Sequence, residues 1–125
     1  MSVVAPDELR AGASTPGVLR EVAFATERAT LMRARAEPLA ASGWHHHGGC
    51  DVLGYVVSGL ARFEFGPQGS DAVEVKAGGF FRVPPGLIHR DVNPIDTIQE
   101  IVLTIVGSGP LVFNVDGPDP SPPSR

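Results

Sequence analysis

The chain is poor in what a nucleic-acid surface, a membrane span or a disulfide framework requires. Its 125 residues carry 10 Lys and Arg against 14 Asp and Glu, a net charge of −4. Phosphate binding needs clustered cations, and here they are scattered, so no nucleic-acid partner is expected. The longest apolar runs, such as Ile101 to Val106, are strand-sized, far below the ~20 residues of a membrane helix. No membrane contact is expected either. The start, Met1-Ser2-Val3-Val4-Ala5-Pro6-Asp7, lacks the charged and apolar regions of a signal peptide. A single cysteine, Cys50, rules out an intrachain disulfide and suits a reducing compartment. The expected location is cytoplasmic.

What is present points to a folded domain. Hydrophobic residues make up 42% and charged ones 19%, too apolar for a disordered chain. The length is that of one domain. Fifteen Gly and 12 Pro break the chain into short runs rich in Val, Ile, Phe and Thr, the pattern of an all-β sandwich or barrel. Strands are predicted over 18–25, 29–37, 43–47, 51–57, 60–65, 72–75, 80–83, 88–92, 98–106 and 111–115. Alternation is clearest in Ala61-Arg62-Phe63-Glu64-Phe65, where the aromatics share one face and the charges the other. The organisation predicted is an N-terminal arm over 1–17, with a short helix through Pro6 to Arg10, a barrel over 18–116 and a Pro-rich tail over 117–125. That tail is too rich in proline to join a sheet and is expected to trail as an extended segment. No repeat is visible.

Three of the four histidines stand in Trp44-His45-His46-His47-Gly48. Side chains alternate along a strand, so His45 and His47 project to one side and His46 to the other. Two imidazoles on one face make a claw suited to a metal ion. His89 follows Val83-Pro84-Pro85-Gly86-Leu87-Ile88, where prolines fix backbone angles and glycine permits a tight turn. His45, His47 and His89 are therefore predicted to converge on one divalent metal ion.

These residues carry a family resemblance. Gly78, Pro84, Gly86, His89 and Asn93, at their spacing, match the second signature motif of the cupins without a gap. His45 and His47 resemble the His-x-His of the first motif, and Gly59 its closing glycine. The leading glycine of that motif falls at Leu39, with Gly43 as the other candidate. Motif detail runs from Ser42 to Asn93. The resemblance implies a double-stranded β-helix, or jelly-roll, barrel with a metal near one mouth, commonly as a homodimer.

Counting back from Gly59, the position that usually holds the glutamate ligand is Val52. A loop shorter by one residue would put Asp51 there instead, but a one-residue slip turns every side chain to the opposite face, so only one of the two can point inward. The reading taken is Val52 inward, with Asp51 and Cys50 kept as alternative fourth ligands. A lone cysteine is by default a small buried hydrophobe. Asn93 and Gly86 are assigned to turn geometry, and Phe63, Phe65, Phe80, Phe81 and Val102 to core or pocket wall. Arg33, Arg35, Tyr55, Arg62, Gln99 and Glu100 are the candidates for touching a substrate.

Three imidazoles leave coordination positions open, as a catalytic site needs. Iron(II) is the metal favoured; zinc, manganese, nickel and copper also suit such donors. Without a carboxylate the site keeps the ion's full charge and favours an anionic or chelating small molecule. The three-histidine set is similar to that of cupin thiol and diketone-cleaving dioxygenases, which implies iron-dependent oxygenation. Two alternatives stay open: a non-redox lyase, isomerase or cyclase, and a metabolite- or sugar-binding cupin without catalysis. Such binding modules are usually joined to an effector such as a DNA-binding domain, and the sequence shows neither a helix-turn-helix nor the charge for one, which lowers that reading.

Overall fold

A computed structural model describes residues 1–122. One turn of 3-10 helix, Pro6–Glu8, precedes β1 (Arg10–Ala11), β2 (Val18–Ala25), β3 (Ala29–Ala36), β4 (His45–His46), β5 (Asp51–Ser58), β6 (Leu60–Phe65), β7 (Asp71–Lys76), β8 (Phe80–Val83), β9 (His89–Val92), β10 (Gln99–Val106) and β11 (Phe113–Asn114). They form a six-stranded sheet, in the order β1-β2-β3-β10-β5-β8, and a five-stranded one, β11-β4-β9-β6-β7. Every pairing between these strands is antiparallel. This is the all-β jelly-roll architecture expected of the sequence. No helix among the described residues is long and apolar enough to cross a membrane.

β3 and β6 form where the period-2 pattern predicts, because each has one face to bury. On β3, Thr30, Met32, Ala34 and Ala36 are buried, while Arg33 and Arg35 face outward to Glu21 and Glu100. On β6, Ala61 and Phe63 turn inward, and Arg62 and Glu64 pair with each other outside. One apolar cluster joins Ala34, Val56 and Ile101 of the larger sheet to Ala61 and Phe63 of the smaller. It joins the two sheets, with side chains of the two inner faces packed against each other. All but Cys50 of a second cluster, Met32, Cys50, Val52, Val83 and Ile105, line an internal cavity, whose wall also takes Ala34, Phe63 and Ile101 of the first.

Four expectations need correcting. The predicted helix through Pro6 to Arg10 is a single 3-10 turn, since Arg10 and Ala11 pair with Val22 and Glu21 as a strand. The described part of the tail does not trail: Asp119 bridges Pro67, and Gln68 donates to the carbonyls of Asp119 and Pro120. Proline lacks a donor but still accepts, so a Pro-rich segment can be held entirely through its carbonyls. Residues 123–125 lie outside the described residues. Phe80 is 78% exposed, because its neighbour Phe81 takes the inward position. Val102 likewise faces out between Ile101 and Leu103, which line the cavity.

Candidate metal centre

The histidines reach one another through strand pairing. His45 and His89 are direct partners in the register of β4 against β9, and their ring centroids are 4.4 Å apart. His47, two residues past His45, lies 5.2 Å from each of them. All three rings are buried. One ligand-capable nitrogen from each falls within 4.8 Å of the others.

Each ring is fixed in the same way. Nδ1 of His45 donates to the carbonyl of Gly43 at 2.8 Å, Nδ1 of His47 to Leu111 at 2.8 Å, and Nδ1 of His89 to Leu87 at 2.9 Å. A carbonyl only accepts, so the proton sits on Nδ1 and Nε2 keeps its lone pair. Backbone carbonyls orient metal-binding histidines in this manner. Burial, the largest influence, pulls all three imidazoles below the ordinary histidine pKa, against the opposing pull of Asp91 and the carbonyl bonds. That shift favours the neutral form, which a metal ligand must have. Three neutral, pre-oriented imidazole donors fit a divalent transition-metal ion.

The remaining candidates separate cleanly. Val52 is buried and lines the cavity, whereas Asp51 points outward and accepts from Arg82 at 2.8 Å. No carboxylate reaches the centre from β5. Cys50 is buried in the apolar cluster beside Gly107, with its thiol 3.8 Å from the carbonyl of Ser108, outside the histidine group. His46 faces away and stacks on Phe113, ring centroids 5.0 Å apart. Of the six substrate candidates only Gln99 lines the cavity, and its amide is spent on the carbonyls of Leu60 and Val92. Arg33, Arg35, Arg62 and Glu100 form ion pairs on the outer faces, and Tyr55 packs on Phe80. Asn93 is buried and ties the loop after β9, as turn geometry requires.

Two residues that were not singled out complete the polar wall. Asp91 follows His89 by two positions on β9 and therefore shares its face. Its Oδ1 is 3.5 Å from Nε2 of His89, and its Oδ2 is 3.7 Å from Nε2 of His45. Arg20, inward between Val18 and Val22 on β2, donates to Oδ2 at 3.3 Å. Burial alone would raise the Asp91 carboxyl, but His45, His89 and Arg20 hold it below the ordinary carboxylate range. Arg20 also donates to the carbonyl of Ala13 and the hydroxyl of Thr15, so the segment after β1 becomes part of the cavity wall. Same-face parity with His89 was the signal available for Asp91. Thus the site is not free of carboxylate, as the loss of glutamate at position 52 had implied.

The cavity has a volume of about 360 Å³. Its walls are mainly apolar, including Met32, Phe63, Phe81, Ile101 and Leu103, with the histidines, Asp91 and Arg20 gathered in one polar patch.

Solved structures share this fold. An uncharacterized conserved protein with a double-stranded β-helix domain from Klebsiella pneumoniae subsp. pneumoniae superposes with a TM-score of 0.76 at 20% identity, over 93% of this chain and 98% of that one. KdgF from Halomonas sp. gives 0.68 at 23% identity, over 85% and 94%. The E162A mutant of Bacillus subtilis oxalate decarboxylase gives 0.72 at 18% identity, over 85% of this chain but only 30% of that longer one. No curated protein sequence matches. The Cupin domain family model matches residues 32–106, more than half of the chain and the span that carries all three histidines, and the chain therefore belongs to the cupin family.

Proposed function

We propose that the protein is a metal-dependent cupin enzyme acting on a small anionic or chelating molecule, with His45, His47 and His89 as metal ligands and iron(II) dioxygenation as its chemistry. The observation that carries this reading is the common orientation of the three rings, each held through Nδ1 with Nε2 free. A divalent ion held by His45, His47 and His89 would supply Lewis acidity and, as iron, redox chemistry. The residues themselves do the rest. Apolar walls exclude water from the polar patch, Arg20 offers a cation to a substrate carboxylate, and a cavity of about 360 Å³ suits a small molecule.

A second, non-redox reading, as a lyase, isomerase or cyclase, is favoured by Asp91. A carboxylate 3.5 Å from Nε2 of His89 stands where a reacting group would be held, and it can accept or return a proton without any change of oxidation state. Among the structural relatives, Bacillus subtilis oxalate decarboxylase has Mn(II) centres, and manganese is one of the metals considered for this site. The outer face of the larger sheet sets Val102, Tyr55 and Phe80 side by side in register, which supports the homodimer that the cupin resemblance implies, whichever chemistry holds. Light scattering should then give twice the 13.1 kDa of one chain.

Elemental analysis of wild type beside His89→Ala, after loading with iron, zinc, manganese, copper or nickel, tests the metal. One equivalent in the wild type and a loss in the variant is expected; two metal-free proteins would refute the reading. Oxygen uptake with iron would identify the dioxygenase. Full turnover of a chelating organic acid with zinc or manganese under anaerobic conditions would identify the non-redox enzyme.

A further inference from the structure

On the reading that the three histidines bind a metal ion, we infer that Asp91 is its fourth protein ligand, a carboxylate supplied from β9 in place of the one that Val52 cannot supply from β5.

The inference begins with a count of donors and acceptors. His45 and His89 each commit Nδ1 as a donor to a backbone carbonyl, which leaves Nε2 as the nitrogen of each ring that is turned to the cavity and can ligate. Facing these two nitrogens at 3.7 and 3.5 Å are the two oxygens of Asp91, which only accept when ionised. Ring nitrogens and carboxylate oxygens turned towards one another in a largely apolar cavity need a cation between them, and two nitrogens and two oxygens gathered at one point suit a metal ion. Arg20 does not fill that role, since its contact is with Oδ2 alone at 3.3 Å.

The distances agree. Donors held about 2.1 Å from one ion stand roughly 3.0 to 3.4 Å apart at adjacent positions. Oδ1, the oxygen that Arg20 leaves free, stands 3.5 Å from Nε2 of His89, only a few tenths of an ångström beyond this, and Oδ2 stands 3.7 Å from Nε2 of His45. Asp91 is outside the tight group of three, so it approaches the ion from the side of His45 and His89. Nothing in the backbone resists that approach. Asp91 is locked at both ends of its peptide by Ser42, whose Oγ accepts from its N–H at 2.9 Å and whose N–H donates to its carbonyl at 2.8 Å. Only the side chain has to turn. Arg20, gripping Oδ2, leaves Oδ1 free to ligate and acts as a positioning residue.

A second consequence concerns charge. Three histidines leave a divalent ion at full charge; a fourth, carboxylate ligand lowers it by one, with Arg20 restoring positive potential beside the open positions. The substrate anion is then drawn to a guanidinium next to the metal as well as to the metal.

The test uses the full chain, stripped with chelator, with cobalt(II) and zinc(II) as probes. Cobalt absorption reports the number and type of ligands, and zinc competition against a chromophoric chelator reports affinity. Asp91→Asn keeps the shape of the side chain and removes the anionic donor. The expected result is one equivalent of metal in both proteins, with zinc bound about tenfold or more weakly by Asp91→Asn and a changed cobalt spectrum. Circular dichroism of the metal-free variant should match the wild type. Equal affinity with an identical cobalt spectrum overturns the role of Asp91 and leaves the three-histidine centre standing. A wild type that takes up neither metal overturns both.

Discussion

The ring of Phe81 on β8 lies directly over Gly54, its register partner on β5, so that a Cβ at position 54 would fall inside the ring. Position 54 is an inward position on β5, between Val52 and Val56. The missing side chain there is what lets Phe81 reach across to Phe63, ring centroids 4.6 Å apart, and form part of the cavity wall. Gly54→Ala should therefore destabilise the protein by about 1 to 3 kcal/mol through overpacking, measured by urea unfolding. In the same experiment Phe81→Leu should cost less in the Gly54→Ala background than in the wild type, because the two changes relieve one contact. Additive costs would mean that the ring does not depend on the glycine.

Leu39 occupies the position where the first cupin motif has its leading glycine, and it keeps a left-handed backbone with φ of 62°. Its side chain is 67% exposed, so little packing compensates. A non-glycine residue in that region costs about 1 to 2 kcal/mol. Leu39→Gly should raise the urea midpoint, with a gain of about 1 kcal/mol after the added freedom of the unfolded chain is subtracted. Gly43, the other candidate for that anchor, has no positive φ, and Gly43→Ala should be near neutral.

The position of Leu39 shows how the sequence encodes this fold. Strand limits were legible because turn residues and period-2 burial are local signals, and β2, β6 and β8 fall where they were predicted. Parity showed that Val52 and Asp51 cannot both face inward, the count back from Gly59 favoured Val52 with Asp51 kept as an alternative, and the structure turns Val52 inward. The metal-capable histidines were legible for the same reason, since two share a strand face and the third follows a rigid turn. Arg20 was not. It reaches the site from β2, distant in sequence from both His45 and His89, and only the pairing of β2 against β3 and the closure of the sandwich bring it to Asp91. The outward fate of Arg33, Arg35 and Arg62 has the same origin: each has an acidic partner on a neighbouring strand or two residues along its own, and such pairings appear only once the register is known.

Metal binding should be visible in stability. An ion that binds the folded chain alone stabilises it by about 2.7 kcal/mol at a hundredfold excess over Kd. Zinc added to the chelator-treated wild type should raise Tm by several degrees, and chelator should reverse the rise. His47→Ala, which removes one donor and frees the carbonyl of Leu111, should lose most of that gain. An equal rise in wild type and variant would place the binding elsewhere.

Asn93 fixes the far end of β9, and with it the strand that carries His89 and Asp91. Its amide nitrogen faces the carbonyls of Ala36, Glu37 and Thr97 at 3.3, 3.0 and 2.7 Å, and its oxygen accepts from the N–H of Ile95 at 3.3 Å. The residue is 1% exposed. Removing the amide leaves three carbonyls and one N–H without this partner in a place water scarcely reaches, at a cost of about 1 to 3 kcal/mol for each group left unsatisfied. Asn93→Ala should therefore be among the most damaging single changes outside the apolar core. Asn93→Asp should be worse at neutral pH, although it is nearly isosteric, because it turns a negative oxygen towards carbonyls that need a donor. Urea unfolding of the two variants gives the order directly. If Asn93→Asp proves the more stable of the pair, the amide is not acting as a donor, and the clamp between β9 and the end of β3 must be held by the backbone bonds alone.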